Sequence, residues 1–430
     1  MKLHKEFFRY VIPSMLAFAL SGLYGIVDGF FLGNELGDQA LAAINVAYPL
    51  TAFLQAVGTG VGMGGAVQYT INKAQGKTKD QQICLGMTFL MLLITGAVLT
   101  PVFYFFNTSL LEGLGASGDL LVLGSEYMDW IAFGCLFQIL GTGMVPFMRN
   151  LGNASVSMVA MMAGAVTNIV FDYLFIWVFH RGMMGAAIAS VMGQVTAFFV
   201  CLVYLLYKKE KMRLKGGGAG LLKKILMIAC SPFGLSFAPN IILILVNLNA
   251  VRHGGDFAVT CYAPISYITY TVMLLLQGVS DGCQPLISLF YGKGDRKGAR
   301  QIYHMSRNFS LLVGMTAFFF LLIKAEAVTR LFGTSPAVTE YVVEILPVFL
   351  SGLLFAGVSR VVISYFYATE ENLKAYVLIF GESVLLCILL WILPARMGIL
   401  GTWVSVMVSQ FLIMVLSQAF LIGKRVEIFT

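Results

Sequence analysis

Residues 37–76 read GDQALAAINVAYPLTAFLQAVGTGVGMGGAVQYTINKAQG, and residues 255–294 read GDFAVTCYAPISYITYTVMLLLQGVSDGCQPLISLFYGKG. Both stretches open on Gly-Asp, continue through a long apolar run and end on a glycine shortly after a lysine. At a constant offset of 218 residues, Gly37, Asp38, Ala40, Thr51, Gly60, Gly64 and Gly76 recur as Gly255, Asp256, Ala258, Thr269, Gly278, Gly282 and Gly294. A repeat kept in register over a whole apolar segment predicts two related halves.

The repeat extends beyond this segment. Further matches are Pro13 and Asp28 with Pro232 and Asn247, Asn153 with Asn372, and GAAIASVMGQ (185–194) with GTWVSVMVSQ (401–410). The order of the matches is the same in both halves, which predicts two parallel halves related by an axis along the membrane normal. We expect an amino-terminal lobe at 1–207, a basic cytoplasmic linker at 208–220 and a carboxyl-terminal lobe at 221–430.

The composition places most of this chain in lipid. Of the 430 residues, 59% are hydrophobic and 11% charged, and the mean hydropathy is +0.85. Hydrocarbon offers the backbone no hydrogen bonds, so apolar runs of about 20 residues span as helices. Twelve such runs predict an all-α polytopic membrane protein with two pseudo-symmetric six-helix bundles. They lie near 12–33, 41–71, 83–105, 125–148, 155–179, 184–207, 221–251, 259–290, 301–323, 338–368, 373–393 and 397–422.

The basic residues indicate the orientation. Of the 28 lysines and arginines, 22 fall on the side that holds both termini. The positive-inside rule therefore predicts a multi-pass protein of the cell membrane with both termini in the cytoplasm. The formal charge of +7 is thus mainly a topology signal, and we expect no nucleic-acid partner.

Motifs for enzymes and nucleotide binding are weak or missing. The stretch GTGVGMGG (58–65) contains G-x-G-x-x-G, but it lies inside an apolar span with no preceding strand, which favours close helix packing. The sequence has no phosphate-loop lysine motif, no G-x-S-x-G and no H-E-x-x-H. The seven cysteines form no C-x-x-C pair, and the four histidines are scattered. We therefore expect neither an enzyme nor a cofactor.

Two aspartates stand out within the predicted spans, because a charge at a helix centre costs about 2.5–3.5 kcal/mol. Asp28 and Asp172 lie at similar depth near the outer ends of spans one and five. Tyr24 and Asn168 lie one turn below them, and Ser190 of span six reaches the same depth. Two carboxylates in low dielectric resist joint ionisation, so the pair can bind a proton or Na⁺, the latter at Asp28, Asn168 and Asp172. The alternative is that each carboxylate only satisfies a local hydrogen bond.

Other charged residues within spans are candidates for a substrate cavity. Arg360 is the one basic residue well inside a span, and Glu382 is either a substrate contact or a structural partner for it. Asp281 lies nearer the end of its span, where an interfacial position is the alternative. Pro13 predicts a bend in the first helix.

The chain resembles the multidrug and toxic compound extrusion (MATE) family over essentially its full length. The resemblance rests on VDGFFLGNELGDQALAAINVAYPL (27–50), NIVFDYLFI (168–176) with GAAIASVMGQ behind it, and QGVSDGCQPLISLFYGKGD (277–295). It is nearest the DinF-like branch, whose amino-lobe ion site implies ion-coupling roles for Tyr24, Asp28, Asn168, Asp172 and Ser190. Ser190 replaces the usual threonine and keeps its hydroxyl, whereas the acid expected on helix seven of the NorM branch is missing.

The resemblance implies an antiporter that exports small amphipathic, often cationic, compounds by alternating access, driven by H⁺ or Na⁺ and working as a monomer. One alternative is a flippase for lipid-linked oligosaccharides or lipids of the same superfamily, for which a basic cavity is expected. A membrane enzyme that uses the paired aspartates on a phospholipid is the other. Efflux that survives Asp28→Asn or Asp172→Asn would contradict the antiporter.

Overall fold

Helices joined by short connections make up the described part of the chain. A computed structural model describes the backbone of residues 2–429 and the side chains of 3–22, 31–32, 35–37 and 39–422. No strand occurs in residues 2–429. The helices are α1 (Lys2–Glu35), α2 (Gly37–Ala74), α3 (Thr78–Gly113), α4 (Asp119–Asn150), α5 (Ala154–Asp172), α6 (Gly182–Lys208), α7 (Ala219–Gly292), α8 (Arg296–Arg330), α9 (Pro336–Ala368), α10 (Asn372–Ile392), α11 (Pro394–Met397) and α12 (Ile399–Phe429).

Helix α7 contains two of the predicted spans. Its 74 residues would extend roughly 110 Å as a straight helix, against about 30 Å of hydrocarbon. Gly255, with φ 62° and ψ −161°, divides it into segments 219–254 and 256–292. The twelve predicted spans therefore correspond to α1–α6, the two segments of α7, α8–α10 and α12. Among the described side chains, ten helices have the length and hydropathy to cross a bilayer, with α7 counted once.

The repeat is visible in the backbone of the turns. Gly37 and Gly255, which open the two copies, have φ of 80° and 62°, and Gly76 and Gly294, which close them, have φ of 72° and 75°. A positive φ is the conformation that glycine adopts without steric cost. The same glycines therefore make the same turns in both halves, which supports the repeat found in the sequence.

The chain forms two compact units. One contains Met1–Phe237 and Ser288–Gly294, and the other contains Ala238–Ile287 and Asp295–Thr430. These units group residues that lie close together in space, whereas the predicted lobes follow the sequence repeat, and the two divisions differ. The lobe boundaries therefore remain a prediction. The predicted linker includes the turn between α6 and α7. In this turn, the Arg213 amide donates to the carbonyl oxygen of Gln82 at 3.1 Å.

Glycines of α2 bring three helices close together within the first unit. A β-carbon added at Gly58 would lie 2.8 Å from the Ile139 carbonyl oxygen of α4, and one at Gly60 would lie 2.8 Å from that of Ala229 on α7. A β-carbon at Gly62 would overlap the backbone of Gly143. The run GTGVGMGG thus serves helix packing, as predicted, since only residues without a side chain permit these approaches.

Aromatic rings fill the core of the second unit. Trp403 of α12 is fully buried and stacks on Tyr262 of α7, with 5.5 Å between ring centroids. Its indole Nε1 donates to the hydroxyl of Tyr341 on α9 at 3.2 Å. Because the indole N–H has this partner, the ring stabilises the contact of α7, α9 and α12 without an unsatisfied polar group.

Substitution of Gly62 tests the packing of α2 on α4. We expect Gly62→Ala to lower the free energy of unfolding by about 1–3 kcal/mol, because its β-carbon overlaps backbone that has no side chain to move aside. Gly220→Ala is the matched control, since no atom lies within 4 Å of the added carbon. Thermal stability in detergent, followed by size-exclusion chromatography, measures both. Equal stability of the two variants would contradict the packing role.

Candidate functional site

The candidate ion site lies on the buried face of α5. Ser157, Ala160, Gly164, Asn168 and Asp172 recur every three or four residues and are all buried. At Gly164 this face meets Gly193 of α6, where a β-carbon on either glycine would lie 2.8 Å from the carbonyl oxygen of the other. This close approach places Asn168, one turn further along α5, directly against α6.

Asn168 joins Asp172 to Ser190. With its amide nitrogen oriented towards the carboxylate, Asn168 donates to Oδ2 of Asp172 at 3.0 Å, and its oxygen accepts from the backbone N–H of Ser190 at 3.2 Å. The same end of the amide lies 3.5 Å from the Ser190 hydroxyl. Asp172 has no solvent-exposed surface and Asn168 has 2%. The amide therefore fixes the position of a fully buried carboxylate relative to α6.

The helix changes geometry directly after Asp172. Residues Tyr173–Val178 form a π-helix, a wider turn that is uncommon in proteins and frequent at functional sites. Trp177 of this segment meets Phe31 of α1 edge-on, with 5.5 Å between ring centroids. Just beyond it, His180 Nδ1 lies 3.0 Å from Glu35 Oε1. These contacts join the carboxyl end of α1 to the turn between α5 and α6.

The structure brings together three of the five residues predicted for ion coupling, namely Asn168, Asp172 and Ser190. The side chains of the other two, Tyr24 and Asp28, lie outside the described residues, although their helix α1 packs against α5. Pro13 lies within α1, and the bend predicted there remains a prediction. The coupling roles of these residues also remain predictions.

A buried arginine one residue beyond the predicted span 125–148 lies inside α4. Arg149 is 1% exposed, and its guanidinium donates to the hydroxyl of Ser14 at 3.5 Å. It also lies 5.8 Å from the centre of the Phe18 ring. Arg149 thus links α4 to the first half of α1. Because Arg149 directly follows the predicted span 125–148, nothing in the sequence indicated that its side chain is buried.

A second polar cluster lies in the second unit, on α7 and α9. The Arg360 guanidinium donates to Oε1 of Gln277, and the Gln277 amide nitrogen donates to Oδ1 of Asp281 at 2.5 Å. Two serines hold the same helices together. Ser280 donates to the Arg360 carbonyl oxygen at 3.0 Å, and Ser364 donates to the Ser280 carbonyl oxygen at 3.1 Å. The cluster is therefore a chain of donors and acceptors between two helices.

This cluster bears on two of the interpretations made from sequence. Asp281 is 3% exposed and belongs to the buried network, and its choice between a substrate cavity and a position at the membrane interface remains a prediction. Arg360 takes Gln277, not Glu382, as its hydrogen-bond partner. A signal for Gln277 was present, because glutamine and aspartate four residues apart on a helix form a stabilising pair.

Glu382 of α10 is half-buried and acts electrostatically on Arg360. Within the described residues, the two side chains form neither an ion pair nor a hydrogen bond with each other. The predicted choice for Glu382, between a substrate contact and a structural partner of Arg360, therefore stays open.

Known proteins match this chain over most of its length. The MatE sequence profile matches residues 13–174 and 226–393. Multidrug export protein MepA of Staphylococcus aureus is 25% identical over 424 residues, which cover 95% of this chain and 91% of MepA.

Solved structures share the fold at low sequence identity. A multidrug resistance MATE family transporter of the MOP superfamily, in an outward-facing conformation, gives a TM-score of 0.91 at 21% identity and covers 98% of this chain and 95% of that one. A MOP superfamily transporter from Pyrococcus furiosus, with a binding pocket of reverse polarity, gives the same TM-score, identity and coverage.

Substitution of Asn168 tests the geometry of the ion site. We expect Asn168→Leu to lower the free energy of unfolding by about 1–3 kcal/mol, because it removes the amide donor to Oδ2 of Asp172 in a fully buried setting. Ser190→Ala is the matched control and should cost less than about 1 kcal/mol, since the backbone N–H that Asn168 accepts from is retained. Thermal unfolding in detergent compares the two, and a larger loss for Ser190→Ala would contradict the geometry.

Proposed function

The chain belongs to the MatE family, whose members are transporters and not enzymes, and on this premise we propose that it exports small amphipathic, often cationic, compounds by cation-coupled antiport. The name of the curated relative, a multidrug export protein, supports this substrate class. The abundance of aromatic and methionine residues, with 34 Phe and 22 Met, also supports it, because such side chains adapt to many apolar ligands.

The observation that carries the proposal is the complete burial of Asp172. A carboxylate within a membrane span costs about 2.5–3.5 kcal/mol, so it is kept where it has a function. Asn168 holds this carboxylate against α6, and the π-helix begins at the next residue. A buried acid at the junction of an α-helix and a π-helix is well suited to bind an ion in one conformation and release it in another.

We assign the second carboxylate of the pair to Asp28 on α1, the helix that packs against α5. Two neighbouring carboxylates share a bound cation more readily than they tolerate two charges, so the pair would load H⁺ or Na⁺ from one face. Each charge that crosses the membrane releases about 2.3 kcal/mol per 100 mV, enough for roughly a fiftyfold gradient of substrate. Alternating access between the two halves of the repeat would couple the two movements.

We also propose that the protein works as a monomer in the cell membrane, with both termini in the cytoplasm. Each chain already contains both halves of the repeat, so alternating access needs no second copy. The bias of basic residues to one side supports the orientation.

Loss of the Asp172 charge should abolish efflux. We expect Asp172→Asn to reduce export of ethidium from drug-sensitised bacterial cells at least tenfold, to the level of the empty vector, because the uncharged amide can neither take up a proton nor neutralise a bound cation. Asp256→Asn, at an exposed residue of the second unit, is the matched control and should export normally. The readout is the initial rate of fluorescence loss at equal membrane abundance. Normal efflux by Asp172→Asn would contradict the coupling role.

Reporter fusions test the orientation. We expect green fluorescent protein fused after Thr430 to fluoresce, and alkaline phosphatase inserted after Gly115 to be active, because the turn between α3 and α4 lies opposite the termini in the proposed topology. Alkaline phosphatase activity from a fusion at the carboxyl terminus would contradict the proposed orientation, because it would place that terminus outside the cytoplasm.

A further inference from the structure

The segment between α6 and α7 is held against α3. The backbone N–H of Arg213 donates to the carbonyl oxygen of Gln82 at 3.1 Å. A β-carbon added at Gly86 would lie 2.5 Å from the Arg213 carbonyl oxygen, so the missing side chain permits this close approach. Met212 is half-buried and packs against the hydrophobic core of the first unit. Residues 210–217, which we call the basic strip, therefore have a fixed place on the first unit.

The basic strip lies at the level where α3 enters the bilayer. Helix α3 begins with the polar residues 78–82, and its predicted apolar span follows directly. A β-carbon on Gly216 would lie 3.1 Å from Cδ1 of Ile83, and one on Gly217 would lie 2.8 Å from Sδ of Met87. Phospholipid headgroups occupy this depth, because they lie just outside the hydrocarbon that an apolar span crosses. The strip is thus within reach of the headgroups beside α3.

The charges of the basic strip point in different directions. Glu210, its only acid, is half-buried, and the hydroxyl of Tyr69 on α2 donates to its carboxylate at 3.4 Å. Lys211, Arg213 and Lys215 are exposed, and the ion pairs formed among the described residues do not include them. The strip therefore presents three positive charges outward, while its one carboxylate is bonded to α2.

Apolar side chains accompany these outward charges. Leu214, between Arg213 and Lys215, is 64% exposed, and Tyr207 at the end of α6 is 79% exposed. Tyrosine is enriched at membrane surfaces, since its ring is apolar and its hydroxyl bonds to water. A soluble anion leaves such side chains in water, whereas a lipid surface covers them and also offers negative charge. Cations interleaved with exposed leucine and tyrosine therefore fit an anionic phospholipid.

From this arrangement we propose that the basic strip is a binding site for the anionic headgroups of phospholipids. Lys211, Arg213 and Lys215 bind the headgroup phosphate, and Leu214 and Tyr207 lie against the first carbons of the acyl chains. Basic residues at a membrane surface each strengthen the attraction to anionic lipid. Because the backbone of the strip is already fixed, binding costs less conformational entropy than for a free loop. The site does not rest on the proposed export function.

Native mass spectrometry of the purified full-length protein tests the proposal. The protein is titrated in detergent with dioleoyl phosphatidylglycerol, which is anionic, or with dioleoyl phosphatidylcholine, which is zwitterionic and has the same acyl chains. The fraction of protein that carries each lipid gives an apparent Kd, and the readout is the ratio of the two Kd values. We expect the wild type to bind phosphatidylglycerol about tenfold more tightly. Equal affinity for the two lipids would overturn the proposal.

Removal of the outward charges should abolish this preference. We expect the triple variant Lys211→Gln, Arg213→Gln, Lys215→Gln to bind the two lipids with Kd values that agree within about twofold, because neutral amides lose the attraction to the anionic headgroup. The three side chains are exposed, so the fold does not depend on them. A triple variant that keeps the wild-type preference would contradict the site.

A matched control removes the same charge from another exposed segment. Lys293→Gln, Arg296→Gln and Lys297→Gln together change the turn between α7 and α8, which lies on the same side of the membrane in the proposed topology. We expect this variant to keep the preference for phosphatidylglycerol. An equal loss in the two triple variants would overturn the site, since it would show that overall charge alone attracts the lipid.

Two soluble anions separate a lipid from other occupants. Glycerol 3-phosphate carries the headgroup phosphate without acyl chains, and an oligoglutamate peptide represents an acidic segment of a protein. At the concentration of the bound lipid, neither should displace phosphatidylglycerol, because neither covers Leu214 and Tyr207. Displacement by either anion would overturn the assignment to phospholipid.

Discussion

Hydrocarbon satisfies none of the hydrogen bonds of a peptide backbone, and the rest of this structure follows from that constraint. Every spanning segment must bond to itself, which is why residues 2–429 form helices joined by short connections, with no strand among them. Since lipid is as apolar as the side chains, helices associate through close contact and not through expulsion of water. Glycines such as Gly62, whose missing side chain leaves room for the backbone of α4, therefore determine how the helices pack.

The same constraint makes the buried charges informative. The duplicated sequence repeats its turns, as the positive φ of Gly37 and Gly255 shows, but it does not repeat the buried charges Asp172 and Arg360. Asp172 is fully buried in the first half, whereas its counterpart in the second half, Trp391, is 81% exposed. Conversely, the second half has Arg360 where the first has Thr142. The repeat thus supplies a common scaffold, and each half carries its own chemistry, an acidic site in one and a mixed-charge site in the other.

Much of this arrangement could be predicted from the sequence, because it depends on spacing along one helix. Apolar length gave the twelve spans, and the four-residue spacing of Asn168 and Asp172 placed them on one face of α5. Contacts between helices depend on the rotation of each helix about its own axis, which an apolar span does not encode. The partnership of Arg360 with Gln277 and the burial of Arg149 against α1 were therefore missed. The π-helix after Asp172 also has no sequence signature, since residues 173–178 are ordinary apolar and aromatic residues.

Transport by the purified protein in liposomes tests the central claim, that a cation bound in the first unit drives export. A fluorescent cationic dye is followed while a pH gradient and a Na⁺ gradient are imposed separately, in the wild type and in Asp28→Asn. If a cation bound in the first unit drives export, dye movement follows one of the two gradients in the wild type and is lost in the variant. Dye movement that is independent of both gradients, or that is unchanged in Asp28→Asn, would contradict cation-driven export.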